Sequence, residues 1–326
     1  MRRNVVVAGA GGFIGGHLVK KLLEGGDCHV RAVDIKPVDN WFQSFEGAEN
    51  MSLDLSLLDN CQIAAEGSSH IYNLACDMGG MGFIERYKAK CMISVLINTH
   101  LLMAAVEAGT EQFFFSSSAC VYAHGKQTST KLSDGLKEED AYPALPEDGY
   151  GWEKLFSERM CRHFHEDFKL ETRVARYHNI YGSHGSWDGG REKAPAALCR
   201  KVISASNSAE KTIEIWGDGE QTRSFTFIDD CIEGTMRLMD SNIREPINIG
   251  SSEMVSINQL VSLLESYAGT SLKRHYLSDE PQGVRGRNSN NERIKKLLDW
   301  EPSVPLEKGM KKLFRWIQTE MNRQRY

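Results

Sequence analysis

Short apolar runs alternate with longer segments of helical periodicity through the first half of the chain. Strand-like runs cover residues 4–8, 30–33, 70–74 and 112–116, and another precedes Asp54. Apolar residues recur at helical spacing over residues 15–23, 91–108 and 150–164. Strands that alternate with helices predict a parallel, doubly wound sheet, because right-handed crossovers place helices on both of its faces. The pattern therefore predicts an α/β fold of the Rossmann type.

The pattern becomes irregular after residue 175. A strand-like start and a helix follow at 225–239, and further helices are predicted at 256–268, at 291–298 and from Leu306 onward, after Pro302 and Pro305. We therefore predict a large first domain, residues 1–175, to which part of 222–250 returns. A smaller, discontinuous C-terminal domain comprises 176–221 and 251–326.

Composition and charge narrow the function classes. The 326 residues carry a formal net charge of -5, which argues against general nucleic-acid binding. The eight cysteines are scattered without a C-x-x-C pair, so neither a metal site nor a disulfide framework is predicted. No signal peptide is recognised, and no apolar run was expected to approach the roughly 20 residues that span a bilayer. We expect a soluble, cytoplasmic protein that binds no membrane.

A glycine-rich turn joins the first predicted strand to the first helix. Its sequence, G-A-G-G-F-I-G, places glycines at 9, 12 and 15. Such a turn lets the backbone and the helix N-terminus approach a pyrophosphate closely, although a glycine trio alone is also compatible with a simple tight turn. The candidate dinucleotide-binding residues of the turn are Gly9, Gly12, Phe13, Ile14 and Gly15.

Two carboxylates extend this candidate cofactor site. Asp34 ends the second strand, where it would accept hydrogen bonds from the adenosine ribose and repel a 2′-phosphate, so NAD is predicted in preference to NADP. Asp54 would bond the adenine edge, but its spacing equally suits a helix N-cap. We accordingly interpret 1–175 as the NAD-binding domain and the discontinuous domain as the substrate-binding one.

A tyrosine and a lysine lie one helical turn apart in Tyr150-Gly151-Trp152-Glu153-Lys154. A lysine ammonium beside the phenol is expected to lower the tyrosine pKa from about 10 and make the phenol a usable base, whereas the alternative is a solvated surface pair. Ser118 follows the strand at 112–116, at the strand end where open α/β sheets bind ligands.

The glycine turn, the strand-end serine and the Y-x-x-x-K spacing together resemble the extended short-chain dehydrogenase/reductase family, over nearly the whole chain. The resemblance implies that bound NAD+ removes hydride from C4 of a hexose. It implies that Ser118 orients the O4 hydroxyl, that Tyr150 takes the O4 proton, and that Lys154 holds the nicotinamide ribose.

Longer strings resemble one branch, the GDP-mannose 3,5-epimerase family: D-M-G-G-M-G-F-I from Asp77, S-S-A-C from Ser117, G-G-R-E-K-A-P from Gly189, W-G-D-G-E-Q-T-R-S-F from Trp216 and G-V-R-G-R-N from Gly283. A ketone at C4 acidifies the C–H bonds at C3 and C5, and inversion then needs a proton-transfer group on each face of the ring. The resemblance implies that Cys120 and Lys193 are this pair. The simpler alternatives are a small core residue for Cys120, and a phosphate contact or surface charge for Lys193.

The same resemblance implies a substrate site for GDP-mannose and a homodimer built on the helices at 91–108 and 150–164. The implied substrate-binding residues are Gly79, Ser118, Ala119, Cys120, Asn179, Glu192, Lys193, Ala194, Lys201, Gln221, Thr222, Arg223 and Arg287. Arginine suits a diphosphate, because its planar fork pairs with phosphate oxygens bidentately.

Three other functions are alternatives to this one. A nucleotide-sugar 4,6-dehydratase would be expected to carry acidic residues where this chain has Ala119 and Cys120. A simple 4-epimerase would not need Lys193. A non-catalytic NAD-binding regulator would have no use for a base at Tyr150.

Overall fold

The computed structural model describes residues 2–131 and 134–324. Its strands are β1 (Arg3–Ala8), β2 (Cys28–Asp34), β3 (Glu49–Ser52), β4 (His70–Asn73), β5 (Gln112–Ser118), β6 (Glu171–Tyr177), β7 (Ile180–Tyr181), β8 (Thr212–Trp216), β9 (Thr222–Ser224), β10 (Thr226–Phe227), β11 (Ile247–Ile249), β12 (Met254–Ser256), β13 (Lys273–Leu277) and β14 (Gly286–Arg287). Its α-helices are α1 (Phe13–Gly25), α2 (Leu58–Ala65), α3 (Met81–Arg86), α4 (Lys88–Ile93), α5 (Val95–Glu107), α6 (Tyr150–Phe168), α7 (Ala194–Ser206), α8 (Ile228–Met239), α9 (Ile257–Ala268), α10 (Glu292–Leu298) and α11 (Leu306–Arg323).

Seven strands form one sheet in the order β11-β6-β5-β4-β1-β2-β3. Every pairing in it is parallel, so the carboxyl ends of β1, β4 and β5 meet at one edge. The apolar residues of β1 and β5, such as Val7 and Phe114, are completely buried because helices cover both faces. The predicted doubly wound α/β fold is confirmed.

Strand β6 was not predicted from the sequence, because two arginines interrupt its apolar residues. Both are nonetheless buried within the fold: Arg176 pairs with Glu158 at 2.7 Å, and Arg173 pairs with Glu171 at 3.0 Å. The opposing charges allow this strand to lie inside the sheet. β11 pairs with β6 in turn and brings residues 247–249 back to the edge of the sheet.

Among the described residues, three short sheets lie outside the seven-stranded one. One has the order β12-β9-β14, another pairs β13 with β8, and the third pairs β10 with β7. α7 packs against α9 and α11, and α9 buries Leu260, Val261 and Leu264 completely. α9 therefore presents one face to the core.

The helix predicted over residues 91–108 is two helices, α4 and α5, which meet at Ser94. The combined stretch Lys88–Glu107 is long and apolar enough to cross a bilayer by length and composition, so the expectation that no apolar run approaches that length was wrong. α5 is instead a core helix: it packs against α2 and α6 and buries Leu101 and Leu102 completely. Only 39% of the stretch is buried within the chain, which leaves an apolar face exposed.

Candidate active site

The glycine turn between β1 and α1 is built for close approach. Gly9 has a φ of 82°, in the left-handed region that favours glycine. A Cβ atom on Gly15 would lie 2.1 Å from the carbonyl oxygen of Gly9, so any side chain there would displace the turn. Gly12 caps the N-terminus of α1 without a side chain. The free N–H groups and the positive end of α1 therefore face a space that suits a pyrophosphate.

The two predicted adenosine-binding carboxylates lie at the ends of neighbouring strands. Asp34, at the end of β2, is buried and accepts a hydrogen bond from the backbone N–H of Lys36. The Lys36 ammonium in turn donates to the carbonyl oxygen of Gly11 at 2.6 Å, a contact that no sequence pattern indicates. Asp54 accepts the backbone N–H of Ser56 at 2.9 Å just before α2. It is not the N-cap of that helix, which is Leu57, so the N-cap alternative for Asp54 was wrong.

Ser118, Tyr150 and Lys154 come together where β5 ends and α6 begins. The Ser118 hydroxyl accepts the backbone N–H of Cys120 at 3.2 Å, and it acts to lower the pKa of the nearby Tyr150 phenol. Lys154 is 1% exposed, and its ammonium lies 5.5 Å from the centre of the Tyr150 ring and 4.7 Å from that of Phe115. The Y-x-x-x-K pair is therefore a buried site pair, which excludes the alternative of a solvated surface pair.

The prediction that Lys154 lowers the pKa of Tyr150 was wrong. Burial raises the pKa of Tyr150 well above its ordinary value, and the neighbouring Cys76 and Cys120 thiols raise it further, while only the Ser118 hydroxyl opposes them. For Lys154, burial acts to lower the pKa, but Cys76 and Glu153 outweigh it and raise the value overall. The phenol therefore needs additional positive charge at the site before it can act as a base near neutral pH.

Cys120 lies in a one-turn 3-10 helix after β5 and is 6% exposed. Nη1 of Arg287 donates to its Sγ at 3.6 Å, and Arg287 in turn pairs with the Glu147 carboxylate. Burial and then the charge of Glu147 raise the pKa of Cys120 to about 11, against the opposing effect of Arg287. The neighbouring cation therefore does not depress the pKa of this thiol below its ordinary value, because burial and the carboxylate exceed its effect.

Lys193 is the N-cap residue of α7 and is half-buried. Burial lowers its pKa, in the direction predicted for an acid–base lysine, while Cys120 and Cys76 oppose the shift and thereby lie within electrostatic reach of the amine. The neighbouring chain is packed tightly, because the N–H of Gly80 donates to the Arg191 carbonyl at 3.0 Å. A Cβ atom on Gly80 would also lie 3.6 Å from the Lys193 Cα, and the nearby Phe83 of α3 shares a buried cluster with Cys120 and Tyr150. The segment that carries Lys193 therefore packs against the loop beside the Cys120–Tyr150 cluster.

The remaining implied substrate-binding residues fall into two groups: those whose side chains are bonded to other parts of the chain, and those that keep free hydrogen-bonding groups. Glu192 is engaged by Arg200 at 2.9 Å and by the N–H of Gly190, and Asn179 donates to the Ser224 carbonyl. The Thr222 hydroxyl donates to the Thr130 carbonyl. Their side chains therefore hold the loops in place. Gly79 and Ala194 flank the same packed segment, and Ala119 is buried beside Cys120.

Lys201 and Gln221 offer unsatisfied polar groups. The Lys201 ammonium makes one backbone contact, to the Glu214 carbonyl at 3.2 Å, and burial lowers its pKa. The Gln221 side chain donates to the Trp216 carbonyl, but its buried Oε1 atom has no partner among the described residues. Both groups retain hydrogen-bonding capacity for a ligand.

Arg223 and Arg287 differ in their partners. All three nitrogen groups of Arg287 are engaged, by Gln127, Cys120 and Glu147. Arg223 is equally buried, but its hydrogen bonds go to two backbone carbonyls, of Thr222 and Gln282, and among the described residues no carboxylate pairs with it. Burial, and then Arg287, lowers its pKa to about 9. A buried, uncompensated guanidinium is well suited to bind an anion.

Comparison with known proteins agrees with this site. Residues 5–250 match the model of the NAD dependent epimerase/dehydratase family. The chain therefore belongs to the NAD dependent epimerase/dehydratase family. Within it, the chain is 45% identical to GDP-mannose 3,5-epimerase 1 of Oryza sativa subsp. japonica over 98% of its own length and 83% of the relative's. It is 44% identical to GDP-mannose 3,5-epimerase of Arabidopsis thaliana, over 98% and 84% of the two chains.

Solved structures agree in fold. UDP-glucose 4-epimerase of Thermotoga maritima superposes with a TM-score of 0.86 over 98% of this chain and 99% of its own, at 24% identity. UDP-glucuronic acid 4-epimerase from Bacillus cereus, in complex with UDP-glucuronic acid and NAD, gives 0.81 over 97% and 99%, at 26% identity. The family and these similarities confirm the predictions of an NAD cofactor and of an epimerase that acts on sugar nucleotides.

The residues present fit NAD. The glycine turn is packed so closely that a Cβ atom at Gly15 would meet the Gly9 carbonyl oxygen, α1 begins without a side-chain cap, and Asp34 ends β2 as a buried carboxylate. At the other end, Lys154 is buried with the Oε2 atom of Glu153, which has no hydrogen-bond partner among the described residues. A polar group is thus available where the resemblance implies that the nicotinamide ribose binds.

Proposed function

We propose that this protein interconverts GDP-D-mannose and GDP-L-galactose by inverting C3 and C5, with GDP-L-gulose formed when C5 alone is inverted. The observation that carries the proposal is the position of Lys193, on a segment packed against the Gly80 loop beside the Cys120–Tyr150 cluster, in a chain 45% identical over 98% of its length to a GDP-mannose 3,5-epimerase. A 4-epimerization would require the tyrosine and the cofactor but no second proton-transfer pair.

Bound NAD supplies the hydride acceptor and donor for C4 of the sugar. Gly9, Gly12, Phe13, Ile14 and Gly15 would hold it at the pyrophosphate, Asp34 and Asp54 at the adenosine, and Tyr150 and Lys154 at the nicotinamide ribose. Ser118 orients the O4 hydroxyl of the substrate, and Tyr150 takes and returns its proton. The proximity of the Ser118 hydroxyl to the Tyr150 phenol, on whose pKa it acts, supports this assignment, because both groups can then meet the same substrate hydroxyl.

Cys120 and Lys193 move the protons at C3 and C5. Once C4 is a ketone, loss of either neighbouring proton gives an enolate, so groups of modest basicity suffice. Inversion follows when one group removes the proton from one face and the other group returns it on the opposite face. Positioned acid–base groups of this kind are each worth about 10²–10⁴-fold in rate. The lowered pKa of Lys193 supports its part, because it leaves a larger neutral fraction of the amine.

The nucleotide is held on the C-terminal side of the site. Lys201, Gln221, Thr222 and Arg223 would bind the GDP moiety, with the unpaired guanidinium of Arg223 on the diphosphate. Arg287 was implied as a further phosphate ligand, and the Cys120–Glu147 contacts of its guanidinium favour a role at the sugar end instead. Gly79, Ala119, Asn179, Glu192 and Ala194 would line the sugar.

Deuterium exchange tests the proposed reaction. The purified protein, incubated in D₂O with GDP-mannose and no added cofactor, is expected to incorporate deuterium at both C3 and C5, as read by NMR. Cys120→Ala should abolish this exchange while hydride transfer from C4 persists. UDP-glucose serves as the comparison substrate. An active, NAD-containing preparation that exchanges at neither carbon of GDP-mannose would contradict the proposal.

We further propose a homodimer formed through α4, α5 and α6. Large apolar side chains on these helices are exposed in the single chain: Met92, Ile93, Leu96, Met103, Trp152 and Phe156. Residues 152 and 156 lie one helical turn apart and form a continuous apolar patch, which in soluble proteins marks an interaction surface. Phe156→Glu is expected to give monomers in sedimentation velocity, whereas Leu297→Glu, an exposed leucine on α10, should leave the dimer intact.

The proposal also assigns the two domains. Residues 1–175, with part of 222–250, form the NAD-binding domain, and 176–221 with 251–326 form the substrate-binding domain. The pairing of β11 with β6 supports the return of the chain to the first domain.

The proposed location is the cytoplasm, since all eight cysteines are free thiols and persist in that form in reducing compartments.

A further inference from the structure

Glu147 lies in the loop before α6 and belongs to none of the motifs described above. Its side chain is 13% exposed and pairs with the guanidinium of Arg287, which in turn donates to the Cys120 Sγ atom at 3.6 Å. The backbone N–H of Glu147 donates to the Cys120 carbonyl at 3.0 Å. Glu147 thus bonds the cysteine through its main chain and is linked to the thiol through Arg287.

We propose that Glu147 is a positioning residue for proton transfer at Cys120: it fixes the Arg287 guanidinium against the thiol and places a negative charge beside it. The inference rests on the proton-transfer role proposed for Cys120. It concerns a carboxylate that the resemblance assigned to no function.

The geometry around Arg287 supports the first part of this role. Gln127 accepts a hydrogen bond from its Nε atom at 2.6 Å, Glu147 pairs with Nη2, and Nη1 then points at Cys120 Sγ. Two hydrogen-bond acceptors, the Gln127 amide oxygen and the Glu147 carboxylate, hold the planar fork in one orientation, so that the third donor is directed at the sulfur. Without Glu147 the guanidinium would lose its only carboxylate partner among the described residues.

The charges facing Cys120 come from several elements. Arg287 on β14 and Arg223 on β9 favour the thiolate, as does Lys193 at the start of α7, while Glu147 favours the thiol. The Tyr150 phenol on α6 and the Ser118 hydroxyl are the other polar groups nearby. Arg287 and Glu147 act on the pKa of the thiol with opposite sign, and Arg287 does so at a donor–acceptor distance of 3.6 Å.

The opposite effects of Arg287 and Glu147 on the thiol suit a reversible proton transfer. The reaction is reversible, so Cys120 must release a proton in one direction and accept it in the other. A thiol beside an arginine alone would stay ionised and return protons poorly, whereas one beside a glutamate alone would rarely ionise. An arginine–glutamate pair in contact with the sulfur keeps both forms accessible.

The test is the titration of Cys120 in Glu147→Gln, which removes the charge and keeps the shape. The thiolate is followed by its ultraviolet absorbance, as the difference between each protein and the same protein carrying Cys120→Ala. The thiol pKa is expected to fall by about 1 or more, because a like charge is lost and Arg287 is no longer neutralised. Alkylation of Cys120, quantified by mass spectrometry, should become about tenfold faster at a pH below the pKa.

Two further variants make the result decisive. Arg287→Gln should move the thiol pKa in the opposite direction, upward, and it tests the same contact if Glu147→Gln does not fold. Glu85→Gln removes a charge that acts on Glu147 from an exposed position without contact to Cys120 or Arg287, and it should leave the titration of Cys120 unchanged.

An unchanged thiol pKa in Glu147→Gln or in Arg287→Gln would overturn the inference, as would an equal shift in Glu85→Gln. The pH profile of deuterium exchange should follow the thiol titration, with its acid limb moved to lower pH in Glu147→Gln. If the thiol responds as expected but the parent protein exchanges no deuterium into GDP-mannose, the contact stands and the proposed reaction fails.

Discussion

Arg223 provides the sharpest prediction, because its removal should affect ligand binding and folding with opposite signs. Its buried guanidinium donates only to backbone carbonyls, and burial lowers its pKa to about 9. The free protein therefore holds a poorly compensated charge. The diphosphate of the substrate would compensate it.

The expected magnitudes follow from these contacts. A hydrogen bond to a charged group is worth about 1.5–3 kcal/mol, so Arg223→Met should weaken GDP binding by about 10- to 150-fold. An apolar side chain of similar length fills the same space and removes the charge. The free energy of unfolding of the ligand-free protein should therefore stay within about 1 kcal/mol of the parent value or rise.

Isothermal titration calorimetry with GDP measures the first effect, and denaturant unfolding without ligand measures the second. Arg285→Met is the matched control, because Arg285 lies two residues from Arg287 but is 38% exposed and paired with Asp218 at 3.0 Å. It should change GDP affinity less than about threefold, as expected for an exposed ion pair. An unchanged affinity in a folded Arg223→Met protein would refute the assignment, and so would a large loss of stability without ligand.

Two further predictions concern the cofactor and the core. Gly15→Ala should yield protein without bound NAD, seen in the absorbance spectrum, because its Cβ would lie 2.1 Å from the Gly9 oxygen, whereas Gly125→Ala, in open space, should retain it. Glu158→Gln should lower the free energy of unfolding, measured in urea, by about 3–5 kcal/mol, because it leaves the buried Arg176 without its charged partner. Glu233 pairs with Arg237 on the surface, so Glu233→Gln should lower it by about 1 kcal/mol or less. Retained NAD in the first variant, or equal costs in the second pair, would contradict the reasoning.

The fold was predictable wherever local pattern and burial agree. β1 and β5 carry uninterrupted apolar residues and were located correctly, as were α1 and α6. β6 was not, because its two arginines are buried: Arg176 pairs with Glu158 on α6, and Arg173 pairs with Glu171 of its own strand and donates to the distant Ser241 carbonyl. Strands whose polar residues are neutralised across the fold cannot be recognised from periodicity alone.

The site was predictable in its residues more than in its electrostatics. Spacing suggested the Tyr150–Lys154 pair, but not that burial would raise the pKa of the phenol. Family resemblance pointed to Cys120, yet Glu147 stands between Pro146 and Asp148 in a loop without any periodic or motif signal. Its contact with Arg287 joins residues 140 positions apart, and only the folded chain brings them together.

The tight packing of Gly80 also bears on how such proteins can diverge. A Cβ atom at residue 80 would lie 2.4 Å from the carbonyl oxygen of Glu192. Any side chain at position 80 would displace the backbone next to Lys193. The amine of Lys193 would then change its position relative to the sheet. Mutations in these two distant stretches should therefore be epistatic, and homologues that replace this glycine should also have a rebuilt loop before α7.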